Sequence, residues 1–520
     1  MTQKSTTQTG SKMTQTDILI VGAGPTGLAH ALWLTKQGLK VRIIDKSSGP
    51  GETSRAMAVQ ARTLEFYRQL DMTDAVVSAG YKTPAMNMWV RGKRQAQVKL
   101  LDAGQEISPY PFVLVYPQDR HERLLVDRLQ SLGIEVERQT ELVSFEDKGD
   151  KVTALLKHKD GQEETCQALY LAGCDGARSP IRHQIGSGFE GGTYKQVFYV
   201  ADVVATGVNP AGEAQIAFEK SEFILMMPYT NTNQYRLIGI VRDERAEHPE
   251  NLTFEDVGHE AIKALNIKIE QVNWFSTYRV HHRVTDHFRK GRVFLLGDAA
   301  HVHSPAGGQG MNTGIMDAIN LAWKLAAVVK GQAPDSLLDS YETERQAFAY
   351  TLVETTDRLF TFATAEGNFA EFVRNRISPL FISVAYKLES VREYMFRVVS
   401  QTTLSYHKSP LSIGKAGSVH GGDRLPWVPF SGNDNYDSLS TIQWQVHVYG
   451  EPKPDLKTWC DQHKLPLHTF AWQSAYQKAG LAQDATYLLR PDTYIALADP
   501  EGSVATLDQY FNERGINFNL

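Results

Sequence analysis

Gly297-Asp298-Ala299-Ala300-His301-Val302-His303-Ser304-Pro305-Ala306-Gly307-Gly308-Gln309-Gly310-Met311-Asn312 is the most informative stretch of this chain. Arg292-Val293-Phe294-Leu295-Leu296 before it is a short apolar run with the pattern of a buried strand, and Gly314 to Lys330 after it is helical in pattern. An acidic residue at a strand end, followed by a Pro/Gly-rich loop that opens a helix, suits a polar cofactor. The aspartate can accept hydrogen bonds from a hydroxylated chain. The glycines let backbone N–H groups approach an electron-rich ring, and the helix N-terminus favours negative charge there.

A second segment supports this. Asp17-Ile18-Leu19-Ile20-Val21 is a β-rich run leading into Gly22-Ala23-Gly24-Pro25-Thr26-Gly27. Leu28 to Gly38 has helical apolar spacing, and Val41-Arg42-Ile43-Ile44-Asp45 is a second strand. The result is a βαβ unit with a dinucleotide fingerprint: Gly22 for the tight turn, Gly24 for pyrophosphate approach, Gly27 for close helix packing. Asp45, with Lys46 beside it, falls about twenty residues on, where a carboxylate holds the adenosine ribose.

A third segment, strand-like Ala168 to Cys174, runs into Asp175-Gly176-Ala177-Arg178-Ser179-Pro180-Ile181-Arg182. Asp-Gly makes a tight turn, and Ser179 can cap a helix with Pro180 in its first position.

Together the three segments resemble the class A FAD-dependent aromatic hydroxylases, single-component flavoprotein monooxygenases of the phenol and polyketide hydroxylase kind. The match runs from about residue 16 to about 350, closing on Leu338-Asp339-Ser340-Tyr341-Glu342-x-Glu344-Arg345. The resemblance implies that Gly22, Gly24, Pro25, Thr26, Gly27, Asp45 and Lys46 hold the ADP half of FAD. It implies that Asp175 lies near the pyrophosphate, that Arg55 and Arg182 help NAD(P)H to bind, and that Gln118 contacts the ribityl side. Gly297, Asp298, Pro305 and Gly308-Gln309-Gly310-Met311-Asn312 would hold the ribityl chain and the ring. It also implies a small aromatic substrate, dioxygen, NADPH (or NADH) as transient reductant, a flavin C4a-hydroperoxide as oxygen donor, and a homodimer. No residue is identified as the base for the phenol. Asp45 stands where glutamate is more usual, and His281-His282 is a pair the family does not require.

Composition is compatible with this. A net charge of -5 invites neither nucleic acid nor an anionic membrane surface. Cys166, Cys174 and Cys460 show no metal spacing and no disulfide pattern, which suits a reducing cytoplasm, and no metal site is assigned. No apolar run approaches a membrane span.

The expected architecture is α/β: a Rossmann-like FAD-binding domain of glutathione-reductase type, an antiparallel β-sheet substrate domain, and a thioredoxin-like C-terminal domain. Residues 1–15 read as a disordered leader, with Met13 an alternative start. The FAD domain takes 16–190 and 281–400, the sheet 191–280 with a turn at Asn231-Thr232-Asn233, and the last domain 420–520 after a boundary at Gly421 to Pro426. Phe360, Phe362, Phe369, Phe372 and Phe381 are expected to pack a helical extension. Cys460 lacks the second cysteine of a redox pair. Alternatives are a flavin-dependent halogenase, whose Trp-x-Trp motif is missing, a saturase-type reductase, and a non-catalytic flavin-binding protein.

Overall fold

The computed structural model describes residues 13–51, 56–101, 104–208, 212–219, 222–230, 232–241, 251–257, 259–304, 308–364, 389–430 and 432–517. Its first sheet is built on parallel strands in the order Val293–Leu295, Glu163–Gly173, Met13–Val21, Val41–Asp45, Val136–Arg138. Ile18, Leu19 and Ile20 are fully buried because helices cover both faces of a parallel sheet. The Pro25–Lys36 helix, with Leu28 to Leu34 buried, packs on the Gly310–Val329 helix. That second helix begins at Gly310, four residues before its apolar pattern does, so the glycine loop's end is already its first turn.

The second sheet is mixed rather than purely antiparallel. Its order is His301–Val302, Lys268–Thr285, Phe189–Thr206, Gln234–Val241, Glu222–Pro228, Ala214–Glu219, Ala85–Val90, Lys93–Lys99. The last two strands come from the FAD-binding part of the chain, and Ala85–Val90 pairs parallel to Ala214–Glu219. Ala217, Ile224, Met226 and Leu237 cover one face with Ala261, Ile262 and Leu265.

The C-terminal sheet has the order Val419–His420, Ile413–Ala416, Ile495–Asp499, Thr486–Leu489, Gln445–Tyr449, Leu467–Phe470. The Pro454–His463 helix joins two parallel strands, and the Thr486–Leu489 and Ile495–Asp499 strands form a hairpin that precedes the Val504–Arg514 helix.

The expected boundaries shift in three places. Met13, Thr14 and Gln15 pair with Thr165, Cys166 and Gln167, so they belong to the first strand and not to a leader. The substrate sheet runs on to Thr285 and recruits residues 85–99. The C-terminal sheet starts at Ile413, before the expected boundary, and Gly421 to Pro426 is packed rather than a linker. Arg424 in that stretch is buried, donating to Glu65 Oε2 at 2.9 Å and to the Ile107 carbonyl at 2.9 Å. Asn231, Phe369, Phe372, Phe381 and the side chains of Phe360 and Phe362 lie outside the described residues. Among the described residues no helix is long and apolar enough to cross a membrane.

Candidate cofactor site

At the first fingerprint the glycines are required by packing. Gly22 has φ +104°, and a Cβ there would fall 2.2 Å from the Cys174 carbonyl oxygen. A Cβ on Gly27 would fall 2.0 Å from the Gly22 carbonyl oxygen. Gly24 differs, because a Cβ there meets nothing within 4 Å. Its open side is where a phosphate can reach backbone N–H groups at the head of the Pro25–Lys36 helix. Asp45 turns back on this loop, accepting from Ala23 N–H at 2.6 Å and Ser47 N–H at 2.7 Å. Lys46 is exposed beside it.

The third segment is clamped onto the first through glycine contacts. A Cβ on Gly297 or Gly314 would come within 2.6 Å or 2.2 Å of Thr26 Oγ1. Gly297 N–H donates to Asp317 Oδ2 at 2.9 Å, and the same oxygen lies 2.7 Å from His301 Nε2. Arg345 Nε donates to Asp317 Oδ1 at 2.6 Å, and Arg345 Nη1 reaches Tyr406 Oη at 2.9 Å. The Arg345 guanidinium and His301 overcome the burial of Asp317 and hold its pKa below the ordinary value. Asp298, next in sequence to this buried anchor, is exposed. The clamp therefore fixes the turn that carries Asp298.

Beyond residues 305–307, which lie outside the described residues, Gly308 has φ +62°. Asn312 ties this end down: Oδ1 accepts from Gln60 N–H at 2.9 Å and Thr63 Oγ1 at 2.8 Å, and Nδ2 donates to Ala58 and Gly308 carbonyls at 2.9 and 3.1 Å. Gln309 donates to the Val398 carbonyl at 3.3 Å, and Met311 packs partly against the main core. Asn312 and Gln309 are thus committed to holding the loop, and what they leave for a ligand is backbone.

In the second segment Ser179 Oγ accepts from Arg182 N–H at 2.9 Å, the expected cap. Asp175 Oδ2 accepts from Ile181 N–H at 3.2 Å, whereas its Oδ1 is buried with no partner. Burial raises the Asp175 pKa. Arg182 is held inside the fold. It is 2% exposed, donates to the Ala299 and Ala177 carbonyls at 2.8 Å each, and lies 3.8 Å over the Phe189 ring. It braces the second segment against the third. Gln118 opens the Gln118–Ser131 helix and donates to Glu122 Oε1 at 2.8 Å. Arg55, like Pro305, lies outside the described residues.

These observations meet what FAD requires: an open glycine turn at a helix head for phosphate, an orphaned buried carboxylate oxygen nearby, and an exposed carboxylate on a rigid turn for hydroxyls. The FAD binding domain family matches residues 15–356. The chain belongs to this family. It is a class A FAD-dependent monooxygenase, an enzyme that consumes NAD(P)H and hydroxylates aromatic substrates, and the halogenase reading is set aside. The 6-methylpretetramide 4-monooxygenase of Streptomyces rimosus is 36% identical over 418 residues, 78% of this chain and 73% of that protein. A flavin-dependent monooxygenase of Mycobacteroides abscessus is 31% identical over 506 residues, covering 93% and 97%. The solved OxyS anhydrotetracycline hydroxylase of Streptomyces rimosus superposes with a TM-score of 0.77 at 25% identity, covering 97% of this chain and 99% of that one.

Two features of this monooxygenase escape a sequence reading. Asp317 sits in Ile315-Met316-Asp317-Ala318-Ile319, and a carboxylate inside an apolar helix run signals a buried partner; the partner's identity comes only from the fold. The other is His303. Its Nδ1 lies 2.8 Å from the Ser304 carbonyl and so carries the hydrogen, leaving Nε2 a bare acceptor with no partner. A Cβ on Gly310 would sit 3.6 Å from that Nε2, which places the ring at the start of the Gly310–Val329 helix. Burial, with His301 nearby, lowers its pKa to about 4, so the ring is neutral at pH 7.

Proposed function

We propose that this monooxygenase hydroxylates a fused-ring phenol, bound between the flavin seat and the open face of the mixed sheet. The observation that carries this is the alternation along the sheet. Residues facing the His259–Ala264 helix are buried, whereas Met86, Met88, Ile216, Leu225, Met227, Ile238 and Ile240 point the other way and are only partly covered. An apolar wall that broad suits a flat multi-ring ligand, and methionines adapt to its outline. Arg236, held by Asp202 through bonds of 2.7 and 2.8 Å, is the polar element on the same face. The 6-methylpretetramide 4-monooxygenase and the anhydrotetracycline hydroxylase are named for multi-ring compounds, which supports the same class.

In this reading Gly22, Gly24, Pro25, Thr26 and Gly27 present backbone N–H groups to the FAD pyrophosphate, and Asp45 takes the adenosine ribose. Asp175 stands at the phosphates, Gln118 and Asp298 hold the ribityl hydroxyls, and the backbone from Gly308 to Asn312 meets the ring. Bound FAD supplies hydride acceptance from NAD(P)H and oxygen activation. The protein's share is orientation and exclusion of water. The neutral His303 Nε2 can accept a hydrogen bond from the phenol hydroxyl and so shift electron density toward the ring. We also assign a thioredoxin-like topology to the C-terminal unit on the strength of its parallel βαβ and following antiparallel hairpin and helix. Cys460 is buried and without a redox partner there, which favours a packing role. A homodimer, as the family resemblance implies, and a cytoplasmic location, which the cysteine pattern suits, complete the proposal.

The test is a panel of phenols and polycyclic polyketides offered to the FAD-loaded enzyme. A fused-ring phenol should stimulate NADPH oxidation and yield a product heavier by one oxygen atom. Preference for single-ring phenols throughout the panel would overturn the substrate class.

A further inference from the structure

We propose that His407, His420 and Asp423 form a binding site for a borderline transition-metal ion of the zinc class. It lies outside the flavin site, where the chain leaving the Glu389–Val399 helix meets the C-terminal sheet. One ligand atom from each side chain lies within 4.8 Å of the others. His407 Nε2 is 2.6 Å from Asp423 Oδ1, and His420 Nδ1 is 3.7 Å from Asp423 Oδ2. Metal–ligand bonds of about 2.0–2.2 Å place neighbouring ligand atoms roughly 3–3.5 Å apart, so small side-chain rotations make room for an ion.

The backbone holds these groups in place. Asp423 Oδ2 accepts from the His420 backbone N–H at 2.8 Å, an outer contact that orients the carboxylate. Tyr406 N–H donates to the Gly422 carbonyl at 2.8 Å, and Ile495 N–H to the Asp423 carbonyl at 2.9 Å. Gly422, at φ +94°, is what allows the approach: a Cβ there would fall 2.5 Å from the Tyr406 carbonyl carbon. The His407 segment and the turn at Asp423 therefore cross at backbone contact.

Donor chemistry selects the ion. Two imidazole nitrogens and one carboxylate oxygen suit zinc, nickel or copper, whereas calcium and magnesium prefer sets of oxygens. The histidine side chains are 52% and 45% exposed, so the ion enters from solvent and water completes its coordination. Bound there, it links the segment carrying Tyr406 to the turn that pairs with the Ile495–Asp499 strand. Spacing alone hides the set, because its members are brought together by the Gly422 crossing.

Tag-free, FAD-loaded protein should be titrated with zinc chloride by calorimetry, and with cupric ion by electron paramagnetic resonance. Wild type should take up one zinc with dissociation constant below about 100 µM. It should also show cupric hyperfine coupling to two imidazole nitrogens. His407→Ala and His420→Ala should each weaken zinc binding roughly tenfold or more and each remove one nitrogen coupling, and Asp423→Asn should weaken binding. FAD content and NADPH oxidation should stay at wild-type level in the histidine variants, which distinguishes a lost ion from a damaged flavin site. The proposal is overturned if wild type shows no saturable zinc binding, or if both histidine variants bind zinc as wild type does.

Discussion

Asp298 and Asp317 lie close together in the fold and should fail in different ways. Asp298 is exposed on the turn that Asp317 anchors from beneath. Asp298→Ala removes a surface carboxylate, and such changes move stability by within about 0.5 kcal/mol. If that carboxylate holds a ribityl hydroxyl, its loss removes a charge-assisted hydrogen bond worth about 1.5–3 kcal/mol, a ten- to hundredfold weaker FAD complex. Asp317→Asn leaves the Arg345 guanidinium, fully buried, without its counter-charge. Breaking a buried pair on one side costs about 3–5 kcal/mol. The same change weakens the acceptor for Gly297 N–H, so it loosens the turn as well. The assay is a thermal melt of the apoprotein beside an FAD titration by flavin fluorescence. Asp298→Ala should melt with wild-type apoprotein yet bind FAD weakly, and Asp317→Asn should be impaired in both. An Asp298→Ala protein that keeps wild-type FAD affinity would refute the ribityl assignment. Equal destabilisation of the two apoproteins would refute the division of labour.

Gly24→Ala should leave the apoprotein melt unchanged, because its Cβ meets no protein atom, while FAD affinity falls roughly tenfold or more as the methyl blocks phosphate approach. Gly27→Ala should lose both, since its Cβ collides with the Gly22 carbonyl; comparing the two melts checks this. Glu344→Gln should cost about 3–5 kcal/mol and release the C-terminal unit to protease early, since Lys324 and Arg490 both rely on that buried carboxylate. The buried His30, His121 and His303 have pKa values lowered to about 4, below the unfolded value of about 6.5, so the native state keeps them neutral. Their contribution is complete above the unfolded pKa and is lost as pH falls toward about 4, each adding a slope of about 1.4 kcal/mol per pH unit in that window. Melts across this range should show the decline, and His121→Asn should flatten it.

The first fingerprint was readable in advance because its constraints are local: a turn, a close backbone approach and a helix head lie within a few residues. The Ser179 cap was readable for the same reason. The setting of Arg182 was not readable, because sequence shows a charge but not which carbonyls will surround it. The Asp317 clamp could be suspected from a carboxylate in an apolar helix, yet Arg345 is 28 residues away and Tyr406 a further 61. The Ala85–Val90 strand was missed because its partner lies far along the chain, and periodicity says nothing about which sheet a strand joins.

The ion pairs and the hydrogen bond that cross from the C-terminal unit bear on how this enzyme can be dissected. Arg490 meets Glu344, Arg424 meets Glu65, and Tyr406 meets Arg345, each in the interior. A chain ended after residue 356 would retain the three flavin-binding segments but strand Glu344 and Glu65 without these guanidinium partners. The minimum foldable piece is therefore larger than the catalytic piece. Exchanging C-terminal units between related hydroxylases would have to carry these arginines across, or Glu344 and Glu65 in the recipient's flavin half would each lose a buried arginine and keep only Lys324 and Arg62 as partners.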